Sequence, residues 1–130
     1  MIYNRTNTAR ALNTIYGAIT KITELWKVCC VVVKGQPARF VSKSLIKAAF
    51  VAFRKAGAKQ VVITRLGQTN TFRAVGRTET YTVTATDTAI TCDCQDYKNQ
   101  VEQLKRGCCK HGYAALSILG HDSLAAYLAR

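Results

Sequence analysis

A chain of 130 residues and 14.3 kDa can bury the core of one ordinary domain but cannot house a large multidomain enzyme. Its 19 Lys and Arg outweigh seven Asp and Glu, and a formal net charge of +12 points to polyanionic partners. Hydrophobic residues at 48% exclude wholesale disorder, and no apolar run approaches the roughly 18 residues of a membrane span.

The first patterned segment is 7–27. Leu12, Ile15, Tyr16, Ile19, Ile22 and Trp26 recur at spacings of three and four, which predicts one amphipathic helix burying these side chains, Tyr16 and Trp26 included. Thr6 or Asn7 is its expected cap. Residues 28–33 follow as a β-branched strand holding Cys29 and Cys30, both expected as small buried hydrophobes. Lys34-Gly35-Gln36-Pro37 reads as a turn. A second helix is predicted over 43–56, opened by Ser42 and stopped by Gly57, with Leu45, Ile46, Ala49, Phe50 and Phe53 facing inward. On it Lys43, Lys47 and Arg54 fall within about 40° of one another and form a basic stripe.

From Gln60 the period changes to two. Strands are predicted at 61–63 and 71–75, and then Thr occupies every second position from 78 to 88. In a strand this puts Thr on one face, exposed to water, and Tyr81, Val83 and Ala85 on the other. Residues 85–88 include a hairpin turn leading to a last strand at 89–92, and helices are expected over 109–119 and 124–129, the latter capped by Asp122. Charge follows the same division. Residues 1–77 hold fourteen Lys and Arg against one acid, Glu24, whereas residues 78–130 hold five against six. The expected architecture is α+β, with basic N-terminal helices packed on a small antiparallel sheet and a C-terminal ββα zinc module. Residues 1–60 form the basic helical region and 61–130 the strands and zinc module, joined in one compact unit.

Chemistry concentrates in Cys92-Asp93-Cys94 and, fourteen residues later, Cys109-Lys110-His111. Three thiolates and an imidazole suit a single tetrahedral Zn²⁺. Cys109 and His111 would lie at the first turn of a helix, where the exposed N–H groups favour a thiolate. Cys108 breaks the Cys-x-His spacing and is read as a buried neighbour, and His121 as a flank of the Asp122 cap; either remains an alternative ligand. With no secretion signal in MIYNRTNTAR, reducing cytosolic conditions are expected, and metal ligation accounts for the cysteines better than disulfides. Four protein ligands leave no open position for a water, so the ion would be structural. Asp87, Asp93 and Asp96 are read as solvated turn acids, since no catalytic motif frames them.

Cys92, Cys94, Cys109 and His111, with the strand around Tyr81 to Val83 before them and the apolar helix after them, resemble the SWIM zinc finger over about residues 72–120. Gln95 stands where members of that family often carry Pro. The resemblance implies a zinc-dependent module that binds DNA or protein, found in transposases, helicase-like ATPases and recombination mediators, and not a catalyst. Joined to the charge, it leads to the expectation of a non-enzymatic accessory factor binding nucleic acid, DNA favoured over RNA, in recombination, transposition or repair. Phosphate contacts are assigned to Lys43, Lys47, Arg54, Lys55, Lys59, Arg65, Arg73 and Arg77. The alternative is an adaptor whose zinc module docks on a recombinase, transposase or other partner protein, as a mobile-element or phage factor would. The expected location is cytoplasmic, or the nucleoid or nucleus where the chain meets DNA, with no membrane partner.

Overall fold

The computed structural model describes residues 2–130 and has the α+β architecture expected, with helices and two small antiparallel sheets. The chain divides into two compact units, residues 1–53 and 54–130, each with its own core.

The first unit opens with helix α1 (Arg5–Ala11), which the side chain of Asn4 caps by accepting the N–H of Asn7 at 2.8 Å. Asn4, not Thr6 or Asn7, is the cap, and the helix does not run on to residue 27. Asn13 takes a left-handed backbone at φ 54° and ends it; a single 3-10 turn at Tyr16–Ala18 leads into strand β1 (Ile19–Glu24). The helical spacing of Ile19 and Ile22 was coincidental. The alternating Ile19-Thr20-Lys21-Ile22-Thr23 stretch gains more by pairing with the β-branched strand β2 (Val28–Val33), the antiparallel neighbour from which it takes its register. Strand β3 (Arg39–Ser42) completes the sheet on the other side of β2.

Helix α2 (Lys43–Ala58) follows at once, and the Ser42 hydroxyl accepts the N–H of Ser44 at 3.1 Å as the predicted cap. Gly57 lies inside the helix and does not stop it. Ile46 and Phe50 are buried with Ala9 of α1 against Ile19, Cys29, Val31, Val33 and Val41, each large side chain contributing about 1.5–3 kcal/mol. Leu45 and Phe53, expected on that buried face, are exposed; the Arg10 guanidinium stacks 3.4 Å from the Phe53 ring centroid.

Only one face of this sheet is covered. On β2 burial alternates strictly, so Cys29 joins the core while Cys30 turns to the other face. There Cys30 pairs with Thr23 on one side and Phe40 on the other, and Lys21 pairs with Val32. Phe40 is 70% exposed. Trp26, at the tip of the β1–β2 hairpin, is 86% exposed, and Tyr16 also lies at the surface. The expectation that both were core residues depended on a helix that does not form.

The second unit is a four-stranded antiparallel meander: β4 (Val62–Arg65), β5 (Thr71–Val75), β6 (Thr80–Ala85) and β7 (Ile90–Cys92). Phe72, Ala74, Val83, Ala85, Ile90 and Cys92 form its inner face. Thr80 and Thr82 line the exposed face, as the alternation predicted. Three helices follow, α3 (Gln95–Leu104), α4 (Lys110–Ile118) and α5 (Leu124–Leu128). Ala115 and Leu116 of α4 and Tyr127 of α5 close the core, and the Tyr127 hydroxyl donates to the Thr86 carbonyl at 2.5 Å.

The cap of α5 is Ser123, whose Oγ accepts the N–H of Ala126 at 3.0 Å, rather than Asp122. Replacing Ser123 with Ala is therefore expected to destabilise the fold by about 1 kcal/mol. Asp122→Ala should stay within about 0.5 kcal/mol. Equilibrium urea unfolding of the two variants measures the difference, and an equal loss in both would return the cap to Asp122.

Candidate metal centre

Strand β7 ends on Cys92, and the backbone leaves the sheet through Asp93 to Cys94. Asp93 holds this knuckle to the neighbouring strand: its Oδ1 accepts the N–H of Thr82 at 2.9 Å. Cys94 is the N-cap of α3, its sulfur accepting the N–H of Tyr97 at 3.4 Å. Cys109 repeats the device at α4, accepting the N–H of Gly112 at 3.4 Å, and His111 lies in the first turn of that helix as expected. Two helix N-termini thus present partial positive charge to two sulfurs.

The four side chains are buried, and their donor atoms lie within 4.8 Å of one another. His111 offers Nδ1, 3.8 Å from Cys92 Sγ and 3.7 Å from Cys109 Sγ. A tetrahedral ion bound at about 2.3 Å to sulfur and about 2.1 Å to nitrogen requires S···N edges of about 3.6 Å. The two S···N edges come close to this, and the cluster could hold a single metal ion. The Tyr81 ring packs on the imidazole with centroids 4.8 Å apart, fixing its plane.

Crowding three sulfurs also sets their protonation. Cys94 lies far below the ordinary thiol range because Cys109 and Cys92 donate to its sulfur. Cys109 is pushed well up, chiefly by its hydrogen bonds with Cys92 and Cys94 and then by burial. Hydrogen bonding with Cys109 lowers Cys92, but its bonding with Cys94 and its burial outweigh this and raise it to about 11.

The spacer between the two ligand pairs contains α3, which the sequence reading missed. Its role is carried by Gln100, which is 2% exposed. Gln100 Oε1 accepts the N–H of Cys108 at 3.0 Å, while its Nε2 donates to the Cys108 carbonyl at 3.2 Å and to Asp96 Oδ2 at 3.0 Å. Asp96 in turn takes a bidentate pair from Arg54, at 3.0 and 2.9 Å. The chain runs from Arg54 through Asp96 and Gln100 to the backbone beside Cys109. The approach of the loop to α3 is so close that a Cβ on Gly107 would lie 2.5 Å from that of Gln100, which explains the glycine.

Asp93 is an exposed turn acid as expected, though bonded to Thr82, whereas Asp96 is a part-buried, bonded part of the centre. Asp87 is solvated, fully exposed with Arg130 3.5 Å away. Cys108 stays outside the cluster, its thiol raised to about 12 by burial. His121 also lies outside it, its ring edge-on to Tyr127 at 5.5 Å. All six cysteines are free of disulfides.

The basic residues assigned to phosphate have varied surroundings. In the first unit Lys43 pairs with Glu24 at 2.9 Å, and Lys47 is exposed on α2. In the second, Arg54 is committed to Asp96, so a direct phosphate role for it falls away. Lys55 lies 5.8 Å from the Tyr113 ring centroid, and with Lys59 it lines a groove of about 870 Å³ that also takes in Ser117 and His121. Arg65 donates to the Thr69 carbonyl and Asn70, while Arg73, on the threonine face, and Arg77, in the β5–β6 turn, reach solvent. No helix among the described residues is long and apolar enough to cross a membrane. Comparison with protein-family models, curated proteins and solved structures finds no match to the chain.

Proposed function

We propose that this chain is a non-enzymatic nucleic-acid-binding protein, DNA favoured, whose C-terminal unit is organised by one structural zinc ion in a SWIM-like arrangement. The observation that carries the nucleic-acid reading is the charge: +12 in 130 residues, with Lys47, Lys59, Arg73 and Arg77 exposed. The donor set carries the zinc reading. Three soft sulfurs and one imidazole nitrogen within 4.8 Å of one another favour Zn²⁺ over oxygen-seeking cations. Bound by Cys92, Cys94, Cys109 and His111, it would tie the end of β7 to the starts of α3 and α4, with no coordination position left for catalysis.

Zinc takes cysteine as thiolate, and Cys92 and Cys109 are held above the ordinary thiol range, so loading the ion must expel protons. Raised thiol values mean that protons compete with metal throughout the neutral range and win as pH falls. Apparent zinc affinity should thus rise by at least about tenfold per pH unit between roughly pH 6 and 8. Competition with a chromophoric chelator across that window measures the slope, and a slope near zero would show preformed thiolates.

The function is tested by fluorescence anisotropy of the zinc-loaded protein with labelled duplex DNA, single-stranded DNA and RNA at two salt concentrations. The expected result is binding whose log–log salt slope on duplex is about −0.9 per phosphate neutralised. Arg73→Glu with Arg77→Glu should weaken it on all sequences alike, because phosphate contacts carry no sequence information. Negligible binding to all three would instead make the basic surface a dock for an acidic protein.

A further inference from the structure

The groove of about 870 Å³ in the second unit is lined by none of the four candidate metal ligands. Its apolar wall comes from Val61 and Ile63, around the start of edge strand β4, and from Ala114 of α4; all three are buried or half-buried. Its polar members come from three elements. Lys55 lies in the last turn of α2 and Lys59 just beyond its end, Tyr113 and Ser117 lie one turn apart on α4, and His121 follows in the link to α5. Both lysines and Ser117 are exposed, and Tyr113 is half-buried. Among the described residues no carboxylate pairs with either lysine, and no protein group bonds to the Tyr113 or Ser117 hydroxyl. Asp122 is the one acid among the described lining residues, set against two ammonium groups.

We propose that this groove binds a nucleotide-sized organic phosphate, its phosphoryl oxygens held by Lys55, Lys59, Tyr113 and Ser117 and its flat body laid on the apolar wall. The inference is independent of the nucleic-acid reading above, since it requires no long polyanion. The groove falls within the range of about 300–1,000 Å³ typical of small-ligand sites, far more than a bare ion fills. Two ammonium groups and two hydroxyls suit a phosphate monoester, with three oxygens and close to two negative charges, better than a carboxylate with two oxygens and one charge. Covering the apolar wall removes it from water, which inorganic phosphate alone does not do. The same chemistry has two sources, a free nucleotide and the 5′-phosphate end of a strand.

Titrating the zinc-loaded protein with adenosine monophosphate (AMP), followed by amide chemical shifts, should move the signals of Lys59, Ser117 and His121 saturably, with a Kd below about 1 mM. Adenosine and inorganic phosphate should each bind at least about tenfold more weakly, because each lacks one half of the ligand. Both lysines are exposed, so Lys55→Ala with Lys59→Ala should fold as the parent does. That pair should weaken AMP about tenfold or more, and Tyr113→Phe, which removes only the hydroxyl, about threefold to tenfold. Arg73→Glu with Arg77→Glu lies outside the groove and should leave AMP affinity within about twofold, so this site and the nucleic-acid reading fail separately. A 5′-phosphorylated oligonucleotide that displaces AMP, where its 5′-hydroxyl counterpart does not, would support the site with strand ends as its source. Displacement by neither would support it with the free nucleotide. Displacement by both alike would make the groove part of a general polyanion surface and overturn the proposal. So would the absence of saturable shifts at about 10 mM AMP, equal affinities for AMP and inorganic phosphate, or unchanged AMP binding in the lysine variant.

Discussion

Changing Cys92 or Cys109 to Ser is expected to reduce bound zinc from one ion per chain to none and to unfold most of the second unit. The effect is large because that unit's core is thin. Phe72, Val83, Ile90, Leu116 and Tyr127 are its large members, and the rest is Ala and Cys. Structural zinc supplies on the order of 10–16 kcal/mol of apparent binding free energy in finger peptides, more than the net stability of most domains. Without the ion, three crowded sulfurs and an imidazole remain buried among apolar groups, which is costly. The first unit's core contains none of the four ligands. Elemental analysis gives the zinc content, and amide exchange resolved by segment shows which unit opens. Cys108→Ser should keep one ion, since its sulfur lies outside the cluster. Stoichiometric zinc in both Cys92→Ser and Cys109→Ser would refute the ligand set.

The second large effect is expected at Gln100, a residue outside the four-ligand set. Gln100→Ala strips the Cys108 amide and carbonyl of their partners and removes a donor from Asp96. Buried groups left unpaired cost about 1–3 kcal/mol each, and supporting bonds around a metal site are commonly worth 10–100-fold in affinity. We therefore expect a loss of about 2–4 kcal/mol in stability and zinc binding weaker by about 10–100-fold. Chelator competition and urea unfolding of the zinc-loaded protein read the two quantities. Gln95→Ala is the control on the same helix, since Gln95 is exposed and its side chain bonds to Asn99 at 2.8 Å. Similar zinc affinity in the Gln100 and Gln95 variants would remove Gln100 from the centre's support.

The same residue shows where reading the chain in order runs out. Gln95-Asp-Tyr-Lys-Asn-Gln is polar and carries no Ser, Thr, Asp or Asn cap, so its helical signal is weak. The cap is Cys94, whose sulfur takes the Tyr97 N–H, a role that its ligand chemistry concealed. The cue that remained was the spacing of Tyr97, Val101 and Leu104 by four and three.

Local chemistry and alternation were sufficient for much of the second unit. The strand at 71–75, the threonine face and the assembly of Cys92, Cys94, Cys109 and His111 follow from periods and spacings that act over a few residues. Segment 7–27 was different, because its apolar spacing suits a helix and its β-branched content suits a strand. Only the pairing of β1 with β2 decided between them, and that decision moved Trp26 from an expected core to the surface. Charge behaves in the same way. Composition determined that the chain is strongly basic, a sum that folding does not change. Which cations remain available was decided by tertiary contacts, which committed Arg54 to Asp96 across 42 residues and Lys43 to Glu24, because an ion pair depends on distance in space and the sequence records only distance along the chain.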